Sequence, residues 1–415
     1  MSAPAIPSSG AQSAPATASQ PGWIKSLPLA CLVVGGVGVA VGLMNNGELG
    51  KQFAFSYLTA FMFFLSLCLG GFFLTIVHHV FDANWSVPTR RITEHLACLL
   101  PWMGVLFLPI ALKAKMLYQW MSNDPHSDHA LAAKQPLFTV SAFYVISAGL
   151  FLLWWLWSHK LRSWSLKQDQ TGGADCTIAL RKWAASGVII FALSLTMGAI
   201  FWMKALQHQW FSTMYGVYYF AGSVWTTLGT LYLITLYLKR QGPLAQIVTK
   251  NTFHSIGILL LAFTIFYAYI HFSQYFLIWN AAVPEETFWY VLREKGTWWD
   301  IGMVIVFGHF VVPFLALLRI DTKLSLPIII PVCVWTWLMH YADMAFNVQP
   351  VLYPDGFHFG WLDIASLAFI GGALSFLFIK NFNAHPPYPQ KDPRTAESLG
   401  IYIAPAGAKN QGGGH

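Results

Sequence analysis

Ten stretches of this chain are apolar for about 20 residues or more, the length an α-helix needs to cross roughly 30 Å of hydrocarbon at about 1.5 Å per residue. They run approximately over 26–44, 53–81, 92–112, 136–158, 183–203, 213–238, 252–279, 298–318, 325–346 and 359–379. Several exceed the minimum and should tilt or project beyond the bilayer. The expected fold is an all-α integral membrane protein of about ten transmembrane helices. With 56% hydrophobic and only 10% charged residues, an ordinary soluble enzyme is excluded.

Orientation follows from the cations. On the side that receives both termini the ten-helix scheme places seventeen Lys and Arg, against seven on the other, Lys51, Lys113, Lys115, Lys134, Lys204, Arg293 and Lys295. The positive-inside bias then makes both termini cytoplasmic in a bacterial inner membrane. The formal charge of +7 is accounted for by these loops. No Arg-rich stripe with interleaved aromatics points to nucleic acid. Residues 1–25 read as a disordered cytoplasmic tail, rich in Ser, Pro and Ala, and 381–415 as a Pro/Gly-rich cytoplasmic tail. Cys31, Cys68, Cys98, Cys176 and Cys333 are scattered without Cys-x-x-Cys spacing, so the cysteines supply no iron-sulfur, zinc or c-type haem site.

Sliding the chain past itself by 159 residues brings Gly70 onto Gly229, Thr93 onto Thr252, His95 onto His254, Phe107 onto Phe266 and Trp120 onto Trp279. Helices two and three thereby fall on helices six and seven with the same polarity, as a parallel duplication requires. The expected organisation is a flanking helix in 26–50, a first four-helix bundle in 51–204, a second in 205–347, and a flanking helix in 348–380. A long polar loop over 159–182 separates helices four and five in this scheme, against a short counterpart near 319–324.

Titratable groups inside hydrocarbon cost at least about 2.5–3.5 kcal/mol near the centre, so each needs a reason. The informative set lies in the second bundle: Tyr267 and His271 in helix seven, His309 near the middle of helix eight, and His340 with Asp343 in helix nine. His340 and Asp343, three apart, share a helix face. Asp363 enters helix ten at the same depth, and Tyr341 and Gln274 could extend a hydrogen-bonded line. The pattern fits a proton pathway or a quinone-headgroup site toward the less basic face, and equally a set of bonds between helices. Near the basic face His78, His79, Glu94, His95 and His254 are weaker candidates for proton uptake, because histidines at helix ends commonly meet only water and headgroups. The loop Asp124-Pro-His126-Ser-Asp128-His129 carries metal-capable side chains, but a polar loop is ordinarily just solvated, and no metal is assigned. Pro284-Glu285-Glu286 reads as a helix start with carboxylates at the positive dipole end.

Three runs carry a family resemblance: Phe55 to Val80 (FSYLTAFMFFLSLCLGGFFLTIVHHV), Trp210 to Trp225 (WFSTMYGVYYFAGSVW) and His271 to Thr287 (HFSQYFLIWNAAVPEET). Together they resemble the F-type membrane subunit of bacterial alternative complex III, a quinol:cytochrome c or quinol:electron-acceptor oxidoreductase whose F subunit is similar to NrfD and polysulfide-reductase membrane subunits. The resemblance spans helices two to ten. It implies a heterooligomer with a sister NrfD-like subunit that oxidises quinol, a peripheral iron-sulfur subunit, multihaem cytochrome c subunits and room for a terminal oxidase. On that reading this chain has no redox centre of its own, lies near quinone, and contributes assembly surface and a transmembrane proton route. Two alternatives stay open: a self-sufficient secondary transporter, and a haem b or quinone-binding anchor of another oxidoreductase, with His271 and His340 at matching depth.

Overall fold

The computed structural model describes residues 22–401; of the expected tails 1–25 and 381–415, residues 1–21 and 402–415 lie outside the described residues. Among the described residues there is no strand. Ten segments are long and apolar enough to span a membrane: α1 (Ser26–Met44), α2 (Glu48–Val80), α3 (Arg90–Leu112), α4 (Val140–Thr171), α5 (Ala174–Trp202), α6 (Tyr215–Gln241), α7 (Lys250–Ala281), α8 (Thr297–Leu317), α9 (Leu326–Val351) and α10 (Trp361–Asn383). The chain is a multi-pass, all-α membrane protein. The loops 81–89, 172–173, 242–249 and 318–325 share one side, the basic face, and the remaining loops lie on the opposite face.

Helix contacts close two rings. Helices α2, α3, α4 and α5 pack in sequence, with α5 returning to α2, and α6, α7, α8 and α9 do the same, with α9 returning to α6. The bundles meet along α2 and α6, and two of the further contacts, α5 on α6 and α9 on α2, exchange when the bundles are swapped. Apolar around its whole circumference, α2 is buried on nearly every side, as its central place demands. Gly70 lets α6 approach: a Cβ there would sit 2.6 Å from the Ser223 carbonyl oxygen. The flanking helices α1 and α10 pair with each other and lean on α2. Small residues make that pairing close, since a Cβ at Gly35 would lie 2.7 Å from the Ala365 carbonyl oxygen.

Two expectations are corrected. Residues 159–182 are not a long loop: α4 continues to Thr171 and α5 begins at Ala174, with Gly172 in the left-handed conformation (φ 65°) ending the helix. The extension is polar in sequence yet stays helical because Leu161, Arg162, Ser165 and Gln168 form a buried face against α3. The second correction concerns α3, which is broken into Arg90–Ala97, Leu100–Leu106 and Leu108–Leu112. Pro101 and Pro109 start the second and third pieces, since a proline ring cannot continue the preceding turn. Residues 384–401 also fold back onto the basic end of the first bundle, where Asp392 pairs with Arg90 and Arg394, and the Gln390 backbone donates to Asp169 at 3.0 Å.

Candidate functional site

The second bundle carries a polar interior in the half nearer the opposite face. Helix α8 widens to a π-helical turn over Val306–Val311. Pro313 follows, and its missing N–H cannot serve the carbonyl one α-turn back, a break that a wider turn accommodates. The turn holds His309 with no exposed surface, its ring stacked between Trp225 of α6 (centroids 3.7 Å) and Tyr267 of α7 (3.5 Å). His340 and Asp343 lie on the α9 face turned toward it, 0% and 1% exposed.

Asp343 is the end of a directed line. The Tyr218 hydroxyl donates to Asp343 Oδ1, so the proton between Tyr218 and Tyr267 (3.3 Å) belongs to Tyr267, and the one between Tyr267 and His271 Nδ1 (3.3 Å) to the imidazole. Every donor points toward the carboxylate. From the other side Asn347 Nδ2 donates to the Tyr218 oxygen at 3.0 Å, and Asn347 Oδ1 accepts from Tyr215 at 2.9 Å. Arg293 continues toward the opposite face, donating to the Asn347 carbonyl at 3.0 Å and to Gln207 at 3.4 Å. Gln207 lines a 270 Å³ pocket on that face with His208, Gln209 and Pro350. Burial lowers the Arg293 guanidinium to about 9, still cationic at neutral pH, and its plane stacks on Trp289 at 3.4 Å.

Of the residues singled out from sequence, Tyr267, His271, His309, His340 and Asp343 converge. Asp363 does not join them: it accepts from Tyr341 (3.0 Å), Gln349 (3.2 Å) and the Gly360 backbone (2.9 Å), which makes it the capping carboxylate of α10. Gln274 bonds Ser212 and Tyr290 instead of His271. The sequence pattern did not point to Tyr218, Asn347, Trp225, Ser66 or Arg293. Ser66 is contributed by the other bundle, its hydroxyl 2.8 Å from His340 Nε2. A recoverable signal was the helical spacing of Tyr215 with Tyr218 and of Asp343 with Asn347.

His309, His340 and Asp343 could hold a metal, since one ligating atom of each lies within 4.8 Å of the others. The 31 residues that separate His309 from His340 along the chain conceal this convergence in the sequence. The loop at Asp124–His129 is otherwise employed: Asp128 caps a short helix and pairs with His208 at 2.6 Å.

Toward the basic face, α6 and α7 offer Thr226, Thr235 and Thr264 amid Leu228, Leu231, Ile256 and Leu260, and the hydrogen-bonded line does not reach it among the described residues. The basic-face candidates are also not where water meets helix ends, for His78, His79, Glu94 and His95 are each 1% exposed. Glu94 accepts from Arg91 (2.9 Å), Arg162 (2.8 Å) and Ser165 (2.6 Å), and Arg90 Nε lies 3.1 Å away. The extension of α4 and the returning 384–401 segment enclose this cluster. His95 faces Arg162 at 3.3 Å, while His254, partly exposed on α7, stands apart from it.

No protein-family model matches this chain, and no curated protein matches it.

Proposed function

We propose that this chain is a proton-handling membrane subunit of a respiratory quinol:electron-acceptor oxidoreductase of the alternative complex III kind. In this reading it sits in a bacterial inner membrane with its basic face cytoplasmic, and electrons travel through iron-sulfur and c-type haem partners. The observation that carries the reading is the directed line His271–Tyr267–Tyr218–Asp343, braced by Asn347, whose side chain bonds Tyr218 and Tyr215 and whose backbone carbonyl accepts from Arg293 near the opposite face. Hydroxyls and imidazoles both donate and accept, so such a line can pass a proton by reversing its bonds in turn. Asp343 is the terminal acceptor, and an apolar layer with isolated threonines lies between it and the basic face.

Asp343→Asn keeps the shape and the Tyr218 bond but removes the basic oxygen. Proton translocation by the assembled complex should fall at least about tenfold, with subunit composition unchanged. Normal translocation in that variant removes Asp343 from the route. A second reading, a self-standing secondary transporter, draws on the π-helical turn in the middle of α8. Gentle detergent extraction separates the two, since the transporter comes out alone and the subunit with haem and iron-sulfur proteins.

A further inference from the structure

Four polar atoms at the heart of the second bundle are buried without a hydrogen-bond partner: both ring nitrogens of His309, Nδ1 of His340 and Oδ2 of Asp343. An orphaned buried polar atom costs about 1–3 kcal/mol, so a group of them calls for a common occupant. The far side of each residue is braced. His340 Nε2 is fixed by Ser66 at 2.8 Å, Asp343 Oδ1 by Tyr218, and the His309 ring by the Trp225 and Tyr267 faces. For His340 and Asp343 the outer atom is held and the inner atom free, the arrangement in which second-shell contacts orient ligands, while stacking fixes the plane of His309 and one of its two nitrogens serves as ligand. Space is kept as well: a Cβ at Gly222 would lie 3.3 Å from the free His340 Nδ1 and 3.8 Å from the Tyr267 ring.

We propose that His309, His340 and Asp343 form a binding site for one divalent transition-metal ion of the zinc class. Two imidazoles and one carboxylate suit that class and are wrong for calcium or magnesium, which take oxygen ligands. At bond lengths of about 2.0–2.1 Å a tetrahedral ion holds its ligand atoms roughly 3.3 Å apart, so each donor moves inward by less than about 1 Å from the present 4.8 Å limit. Three protein ligands leave the fourth position to a small exogenous ligand. A bound ion on Oδ2 and a relayed proton delivered at Oδ1 compete for the same Asp343 carboxylate, because protonation removes its charge. The inference nevertheless stands apart from the proposed function, since binding is read on the isolated chain without electron or proton transfer.

The test uses the full chain in detergent, treated with chelator and titrated with Co²⁺. Visible d–d absorption and metal content per chain are the readouts, and a His126→Ala/His129→Ala background removes the two exposed histidines of the Asp124–His129 loop. One Co²⁺ per chain with tetrahedral-type absorption, displaced by Zn²⁺, is expected. Gly222→Ala crowds His340 Nδ1 while leaving all three ligands in place, and His340→Gln removes one; each should weaken binding at least about tenfold, and Ser66→Ala by about 10–100-fold. Absence of bound Co²⁺ in the parent chain overturns the site. So does affinity unchanged in whichever of the three variants elutes as a folded species on size exclusion.

Discussion

In the first bundle, Phe61, Phe107, Phe151, Trp154 and Trp202 pack ring on ring in the half nearer the opposite face, Phe151 and Trp202 stacked with centroids 5.2 Å apart. The corresponding half of the second bundle holds Tyr218, Tyr267, His309, His340 and Asp343. Charge is distributed the other way at the basic end, where the first bundle buries Arg90, Arg91, Glu94 and Arg162 and the second packs Leu231, Ile256, Leu260 and Leu317. Under the 159-residue offset Tyr218 stands where the first bundle has Thr59, and Trp225 where it has Ser66. One architecture thus accommodates both a polar interior and an aromatic one. The two polar sets also differ in kind. Around Glu94 the acceptors are saturated by guanidinium groups, an arrangement that holds structure together, whereas around Asp343 acceptors and ring nitrogens are left free, an arrangement suited to exchange.

The largest expected effect tests the structural half of that contrast. Glu94→Ala leaves Arg90, Arg91 and Arg162 facing one another without their shared carboxylate, and breaking a buried pair in this way costs about 3–5 kcal/mol. Thermal unfolding in detergent, followed by circular dichroism, should show a large drop in midpoint or no folded protein at all. Asp343→Asn in the same assay should cost about 1 kcal/mol or less. Equal losses would erase the distinction between the two clusters.

A smaller effect is expected at the seam where the 384–401 segment meets the first bundle. Burial raises the Asp392 carboxyl, but His78, Arg90 and Arg394 outweigh it and hold the group well below the usual carboxylate range. A carboxyl depressed in the folded state stabilises above its unfolded value of about 3.9, and that contribution is lost as pH falls toward the folded value. Stability should therefore be flat in this respect above about pH 5 and decline below about pH 4. Asp392→Asn should cost about 1–3 kcal/mol at neutral pH and make the acid limb shallower. Hydrogen exchange across 384–401 reports whether the segment has come loose, and an unaltered exchange pattern would mean that other contacts hold it.

The spanning segments were legible because length and apolarity need no knowledge of neighbours. The failure at 159–171 has the converse cause: Arg162, Ser165 and Gln168 are polar, so their burial depends on Glu94, Arg90 and Thr177, which sequence periodicity does not place beside them. Likewise His340 and Asp343 could be paired from their i, i+3 spacing, whereas Ser66 reaches His340 from 274 residues away. Asp363 looked equivalent to Asp343 by depth alone, and its capping role depended on the unseen turn at Gly360. Depth along a helix was readable; azimuth, which decides whether a side chain joins the polar interior, depended on packing.

The smallest expected effect is the most informative about that interior. His309→Phe keeps a flat ring between Trp225 and Tyr267 and removes two nitrogens that lack partners in this structure. Replacing unsatisfied nitrogens with carbon relieves a desolvation cost while the stacking persists, so the unfolding free energy should stay within about 1 kcal/mol of the parent or rise. The equivalent insult to the aromatic interior, Trp202→Ala, costs about 3–5 kcal/mol through lost packing. A loss of more than about 2 kcal/mol for His309→Phe in the chelator-treated chain would mean that His309 bonds to something within the protein, and the polar interior of the second bundle would then be as structural as the aromatic interior of the first.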